Sequence, residues 1–511
     1  MRSTNAIRNA TVSTVAQIFN MLLSFACRTI FVRLLATEYL GLSGLFTNVL
    51  SVLSLSELGI GNAIIINLYK PMAERDETTI CRYMNYYAKA YRAIGFAILA
   101  FGVVSTPFLQ YLVNTDLEIP NLRLIYFMFV ANSAISYFCA YKRTILTVDQ
   151  KEYINTINRN VFLLIQNVLQ ILVLLWTRDY IFYVGMMLLC TLASNLYISA
   201  YATREYPFLK NNKEVLDRAQ TKDLLRSLGA IFCQKIGNVL VNSTDNILIS
   251  VMLGVYWVGM YSNYSMIVGI VVTFSTIAFA ACSASIGNLN AEESCERVYS
   301  IFKVMSVLSL WIYGVCGICF LCLFQPFISL WIGEEFLLNF TTVAIVVAAF
   351  FLKGLIGVGS TFLDVTKLCI VTRWVPLIMA VVNIVVSIIG AWSWGLPGVF
   401  MGTVVSYAAT QLWINPAVLY KYKFRKPFSA YLGFMMPRLL ALMLAGGVTL
   451  GLASLTDVFV LKLLICAVVP NFMLLLFWLR TTELQYLMTV LKKLLRQKIG
   501  RDPNPERKAD K

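Results

Sequence analysis

Apolar segments long enough to cross a bilayer recur along this 511-residue chain, and they leave it little choice of fold. About 20 apolar residues in a helix span a hydrocarbon core. Inside that core each backbone N–H and C=O must be satisfied by the protein itself. Fourteen candidate segments lie near residues 12–35, 40–68, 86–113, 122–146, 157–177, 180–203, 228–253, 258–287, 300–325, 340–366, 374–395, 397–420, 430–455 and 459–479. Only 13% of the residues are charged and the mean hydropathy is +0.73, whereas soluble domains carry about 25% charged residues. The expected fold is therefore an all-α, polytopic membrane protein with about fourteen transmembrane helices. Ser13, Gln17 and Asn20 interrupt the first apolar run and no cleavage region follows, so this segment is expected to stay in the mature protein.

Two of these segments carry polar stripes. Ser13, Gln17, Asn20, Ser24 and Arg28 are spaced by three and four residues and share one helix face, as do Lys235, Asn238, Asn242, Asp245 and Asn246. An offset of 218 residues superposes the two regions, pairing Arg8 with Arg226, Leu35 with Leu253, Tyr39 with Trp257 and Gly41 with Gly259. Six spans separate the matching helices, an even number, so the repeats run the same way through the membrane. The organisation expected is an N-lobe with inner linker (1–225), a C-lobe (226–428), a helix pair (429–480) and a basic tail (481–511). The two lobes of six helices are related by a pseudo-twofold axis. Leu484, Leu487, Leu491, Leu494 and Leu495 line one face of the tail beside Lys492, Lys493, Arg496 and Lys498, the pattern of an amphipathic helix lying on a membrane surface.

A net charge of +16 raises the question of nucleic acid, but its distribution answers otherwise. Basic residues concentrate in alternate connections, and the intervening ones hold only Arg178 as a clear case. The positive-inside rule then puts both termini in the cytoplasm, with anionic lipid headgroups as the counter-charge and no nucleic-acid partner. The twelve cysteines avoid the outer connections, so no disulfides are expected. Cys316, Cys319 and Cys322 have metal-motif spacing but read as small apolar residues on a helix. With no histidine in the chain, no metal site or cofactor is expected. No phosphate-binding glycine loop of the GxxxxGK[ST] kind occurs either.

A charge at mid-bilayer costs about 2.5–3.5 kcal/mol on insertion scales, so each one is a candidate for function. Arg28, Lys235 and Lys353 are the cations expected to meet an anionic substrate, with Gln17, Asn20, Asn238 and Asn242 as polar lining and Arg33 nearer the outer headgroups. Glu57, Asp245 and Asp364 are candidates for a gate or for coupling to H⁺ or Na⁺, and an Arg28–Asp245 bridge would close the outer side. Arg82, Arg92, Lys142 and Arg143 lie at the inner ends of spans, as positive-inside anchors or as contacts to a headgroup at an inner gate. Tyr83, Tyr86, Tyr87 and Tyr91 beside them read as an aromatic belt.

Three stretches carry a resemblance. They are FACRTIFVRLLATEYLGLSGLFTNVLSVLSLSELGIGNAI (Phe25–Ile64), LTVDQKEYI (Leu146–Ile154) and NSTDNILISVMLG with VGMYSNY (Asn242–Tyr264). With fourteen spans, the chain resembles the Wzx-type O-antigen and capsule polysaccharide flippases of the MOP (MATE/oligosaccharidyl-lipid/polysaccharide) exporter superfamily along nearly its whole length. The resemblance implies two six-helix lobes around a V-shaped cavity and a final helix pair. It implies a transporter, not an enzyme, that flips undecaprenyl-pyrophosphate-linked oligosaccharide between leaflets of the bacterial cytoplasmic membrane, beside a polysaccharide polymerase and other assembly proteins. Related flippases place arginines of helix 1 in the cavity, where Arg28 and Arg33 stand here. The cation that some relatives carry in helix 8 has no counterpart, since Trp257 to Asn288 holds no Lys or Arg. The alternatives are an ion-coupled MATE-like exporter of small molecules and a membrane-embedded polymerase or ligase. The first calls for a carboxylate on the helix 1 stripe and the second for a sizeable outer loop.

Overall fold

The structure, a computed structural model, describes residues 2–53, 60–210, 215–217, 221, 236–237, 239–241, 243–292 and 294–489. For residues 2–16, 53, 62, 139–140, 278 and 280–292 it describes the backbone alone. Among the described residues there is no strand. The helices are α1 (Arg2–Leu34), α2 (Thr37–Leu53), α3 (Ile60–Glu74), α4 (Glu77–Ser105), the short α5 (Leu109–Leu112), α6 (Leu122–Ala140), α7 (Arg143–Val148), α8 (Glu152–Thr177) and α9 (Tyr180–Glu205). They continue with α10 (Val239–Leu253), α11 (Val255–Glu292), α12 (Cys295–Trp331), α13 (Phe340–Val365), α14 (Val375–Trp394), α15 (Leu396–Ala409), α16 (Gln411–Val418), α17 (Phe428–Ser454) and α18 (Phe459–Trp478). Helix covers at least part of every apolar segment found in the sequence. Ten helices among the described residues are long and apolar enough to cross a membrane.

Several segments that read as continuous are broken. Pro107 cannot supply the N–H that would extend α4, and the chain tightens through a 3₁₀ turn at Thr106–Phe108 into α5. Segment 4 is two helices, with α7 starting anew at Arg143 after Tyr141 and Lys142. Thr410 leaves helical geometry (φ −124°, ψ −93°) between α15 and α16, and a π-turn at Leu419–Phe424 follows Pro416.

The chain divides into two compact units, each assembled from more than one stretch. The first comprises Met1–Ile270, Ile328–Thr342 and Arg373–Ser406. In it α1 lies along α8, α8 along α9, and α6 between α4 and α9. Its core is aromatic: Phe46 packs on Tyr126 and Phe129 with ring centroids 5.1 and 5.6 Å apart. One contact in this unit repeats itself at the 218-residue offset. A methyl group on Gly41, one turn into α2, would overlap the carbonyl oxygen of Val255, the first residue of α11. A methyl group on Gly259, one turn into α11, would overlap the carbonyl oxygen of Thr37, the first residue of α2. The two helices thus cross at their first turns, each glycine lying under the other helix's opening carbonyl, an approach that only glycine permits. Gly254 (φ +109°) sets up this crossing by ending α10 in the left-handed region, and the Val255 N–H then donates to the Asn114 carbonyl at 2.8 Å.

The second unit comprises Val271–Phe327, Val343–Thr372 and Tyr407–Lys511. Phe302 and Phe362 meet edge to face at 5.2 Å in its core, and α17 packs along α18. The Trp311 indole N–H of α12 donates to Asn471 Oδ1 of α18 at 2.7 Å. Here the tail departs from expectation. Leu484, the first member of its apolar stripe, is 2% exposed and belongs to this core, so at this point the stripe meets protein and not lipid. Leu491, Leu494 and Leu495 lie outside the described residues.

Candidate functional site

The polar face of α1 has a matching face on α8. Asn20 is 3% exposed and its amide donates to the Asn160 side-chain oxygen at 3.1 Å. Asn167 donates to Ser24 Oγ at 3.3 Å, and Gln170 to the Tyr183 carbonyl at 3.2 Å. Asn160, Asn167 and Gln170 are all buried. The middle of the α1 stripe is therefore spent on binding α8, which sequence periodicity could not distinguish from a wet surface. Gln17, one turn earlier, is half-buried.

α8 has a second polar face, and it opens on empty space. Asn155, Asn158, Arg159 and Gln166 line a cavity of about 300 Å³ whose other wall is α9, with Thr191, Ser194 and Asn195. A larger cavity of about 560 Å³ lies between α2, α3, α4 and α6, lined by Ser51, Tyr87, Tyr91, Asn132, Ser133 and Ser136 among others. Arg143 and Ser136 line both cavities, so the arginine stands at their junction. The break between α6 and α7 sets Arg143 at the start of a new helix, and Asn195 holds its guanidinium by accepting from Nη2 at 2.8 Å. Tyr87 and Tyr91 are buried against each other with centroids 4.2 Å apart, so they are cavity wall and not an aromatic belt. The Asn132 side-chain oxygen is buried and without a hydrogen-bond partner among the described residues. No Asp or Glu lines either cavity among the described residues, while Arg143 and Arg159 do. Arg159 has no sequence signal beyond the 3–4 spacing it shares with Asn155 and Gln166.

Arg28 is elsewhere in the same unit. Its Nη1 donates to Ser262 Oγ of α11 at 2.9 Å, close to the glycine crossing. Trp331 closes on the same end of α1, with its indole N–H donating to Thr29 Oγ1 at 2.7 Å and its ring 4.6 Å from Phe25. Asp245 accepts from Thr403 Oγ1 at 2.8 Å, within a polar chain that runs through Asn383 to Thr244 and ties α10, α14 and α15. Arg33 is exposed at the end of α1, as a snorkelling side chain would be. In the second unit Lys353, Gly357 and Asp364 share an exposed face of α13 at spacings of four and seven, with Thr361 between them. A face of that kind in a membrane helix belongs against water or polar protein. Lys235, Asn238, Asn242 and Glu57 lie outside the described residues.

At the other end of α1's unit, Lys142 donates to Thr203 Oγ1 at 2.7 Å, while Arg82 is half-buried and Arg92 exposed. The LTVDQKEYI stretch forms a clasp there. Lys151 bridges Asp149 at 2.9 Å and Glu205 at 2.8 Å, and the Tyr206 hydroxyl donates to Asp149 at 2.6 Å. Burial alone would raise the Asp149 carboxyl, but the bonds from Tyr206 and Lys151 outweigh it and hold the group below its ordinary value. Burial would lower the Lys151 ammonium, yet Glu205 and Asp149 hold it above its ordinary value.

Known structures share this fold. The solved structures with the same fold include the lipid II flippase MurJ in an inward closed conformation, at 13% identity, covering 92% of this chain and 99% of that one with a TM-score of 0.67. A multidrug resistance MATE family transporter of the MOP superfamily, in an inward-facing conformation, matches at 15% identity, 86% and 96% coverage and a TM-score of 0.59. A Vibrio cholerae MATE transporter, VcmN in its bent form, matches at 13% identity, 83% and 98% coverage and a TM-score of 0.52. Comparison with curated protein sequences gives no match. The family model described as polysaccharide biosynthesis protein matches residues 6–286, more than half of the chain. The protein therefore belongs to the polysaccharide biosynthesis protein family.

Proposed function

We propose that the protein carries an undecaprenyl-pyrophosphate-linked oligosaccharide from the inner to the outer leaflet of a bacterial cytoplasmic membrane, with both of its termini in the cytoplasm. The observation that carries this reading is the pair of polar cavities joined at Arg143, cationic and free of lining carboxylate among the described residues, within helices otherwise built for lipid. Arg143 and Arg159 suit a diphosphate, since guanidinium groups bind phosphate oxygens through paired N–H donors. Asn132, Ser136, Tyr91 and Gln166 offer the mixed donors and acceptors that sugar hydroxyls need. Together these groups replace the hydration that an oligosaccharide head would lose in hydrocarbon.

Alternating access then moves the head while the polyprenyl tail stays in lipid. The proposal gives Arg28, Lys235 and Lys353, the cations marked out by the sequence, the role of meeting the anionic head as it moves. An anion moving outward is helped by an inside-negative potential, by about 2.3 kcal/mol per charge per 100 mV. Coupling to H⁺ or Na⁺ through Glu57, Asp245 or Asp364 is part of the same proposal.

The test is flipping of a polyprenyl-diphosphate-linked oligosaccharide in proteoliposomes by the wild type and by Arg143→Gln and Arg159→Gln. Loss of flipping with the fold retained supports the reading. Flipping at the wild-type rate in the double variant refutes it. A cationic dye serves as the competing cargo because MATE transporters share the fold. Transport of the dye and not of the lipid would favour a MATE-like exporter.

A further inference from the structure

A third cavity, of about 200 Å³, lies in the second unit between the first turns of α12 and the helix over residues 482–489. Arg297, Ser300 and Lys303 line it from α12, and Thr482, Glu483 and Tyr486 from the other side. Glu483 is 4% exposed and both its oxygens are taken, Oε1 by Lys303 at 3.0 Å and Oε2 by Arg438 at 2.8 Å. One buried acid is thus met by two cations. Arg297 adds a third, lying over the Tyr486 ring at 5.8 Å and entering no ion pair among the described residues. The cavity keeps a positive excess that nothing described neutralises.

Its position says what would. The apolar span α18 ends at Trp478, four residues before Thr482. The apolar body of α12 begins beyond Lys303, with Val304, Met305 and Val307. The cavity therefore sits where the hydrocarbon gives way to headgroups, with apolar helix surface running away from it on one side and hydroxyl groups at its mouth. We infer that it binds the phosphate of an anionic phospholipid, with Arg297 and Lys303 on the phosphate oxygens and the acyl chains along α12 and α18. The acid clamp holds Lys303 in place beneath the ligand and is itself a structural contact.

Native mass spectrometry of the full-length purified protein tests this, with phosphatidylglycerol, phosphatidylcholine and inorganic phosphate as probes. Phosphatidylglycerol should bind the wild type more tightly than phosphatidylcholine. Arg297→Gln should weaken phosphatidylglycerol about tenfold, as loss of a charged contact does, and leave phosphatidylcholine unchanged. Arg425→Gln, an exposed cation that does not line the cavity, should change neither. Wild-type retention of phosphatidylglycerol by Arg297→Gln would overturn the assignment, and so would equal binding of the two lipids. Displacement of phosphatidylglycerol by millimolar inorganic phosphate would show a free-anion site and overturn the lipid assignment.

Discussion

Replacing Gly41 by alanine should loosen a helix more than two hundred residues away in the sequence. The added methyl carbon would lie 2.8 Å from Val255 Cγ2 and 2.9 Å from the Val255 carbonyl carbon, besides overlapping its oxygen. The obstacle is mostly backbone, so it cannot be relieved by a rotamer change, and the first turns of α2 and α11 must separate. Overpacking of this kind costs about 1–3 kcal/mol, which displaces a two-state equilibrium about 5–150-fold. Gly259→Ala should cost a similar amount, its methyl falling 2.8 Å from Thr37 Cγ2 and 3.1 Å from the Thr37 carbonyl carbon. The double variant should cost clearly less than the sum, because the first methyl already opens the gap that the second would fill. Hydrogen exchange read by mass spectrometry checks this. Gly41→Ala should speed exchange in the first turns of both α2 and α11, and Gly259→Ala should give the same two-site pattern. Faster exchange confined to the substituted helix, or strictly additive costs, would refute the reciprocal crossing. Under the proposed alternating access, with this crossing made in only one state, the same variants should also shift the population toward the other.

Three further outcomes follow from single contacts. Asn160→Ala should destabilise the α1–α8 pair by about 1 kcal/mol by removing the side-chain acceptor of the Asn20 amide, which keeps the Asn160 backbone carbonyl at 3.3 Å, and Asn20→Leu with Asn160→Leu should recover most of it; thermal denaturation in detergent checks this, and no recovery would show a role for Asn20 beyond packing. Glu483→Gln should cost about 3 kcal/mol by leaving Lys303 and Arg438 without their counter-charge, seen as a lower melting temperature at neutral pH. Burial would raise the Glu483 carboxyl, but the Lys303 bond and the Arg438 charge hold it below its ordinary value; its stabilisation is therefore complete above about pH 5 and fades as the pH falls below about 4, and Glu483→Gln should flatten that acid limb of the melting profile.

The helices were the most legible part of this molecule, because lipid allows a long apolar segment almost no other structure. Their breaks were less so. Pro107 announces one in the sequence, but the restart at Arg143 has no proline or glycine to mark it. That restart is what turns an apparent membrane anchor into the residue between two cavities. Periodicity picked out the polar face of α1 correctly and misjudged what it meets, since a stripe of amides looks the same whether it faces water or a second stripe of amides. Arg159 escaped notice because a cation near the start of a span is ordinarily an anchor. The equivalence of Gly41 and Gly259 was visible as an offset, whereas their contact with each other's helix needs three dimensions. Leu484 and Glu483 were hidden by the basic residues that follow them, whose charge suggested a surface helix.

The crossing of α2 and α11 has a bearing on how such a chain could have arisen. Each side presents the same two elements, a carbonyl at the opening of a helix and a glycine one turn in. A patch that is complementary to itself is what a twofold homodimer requires. A polypeptide of half this length, holding only Thr37 and Gly41, would already carry both halves of this contact. Gene fusion would then have had a joint to inherit and none to invent.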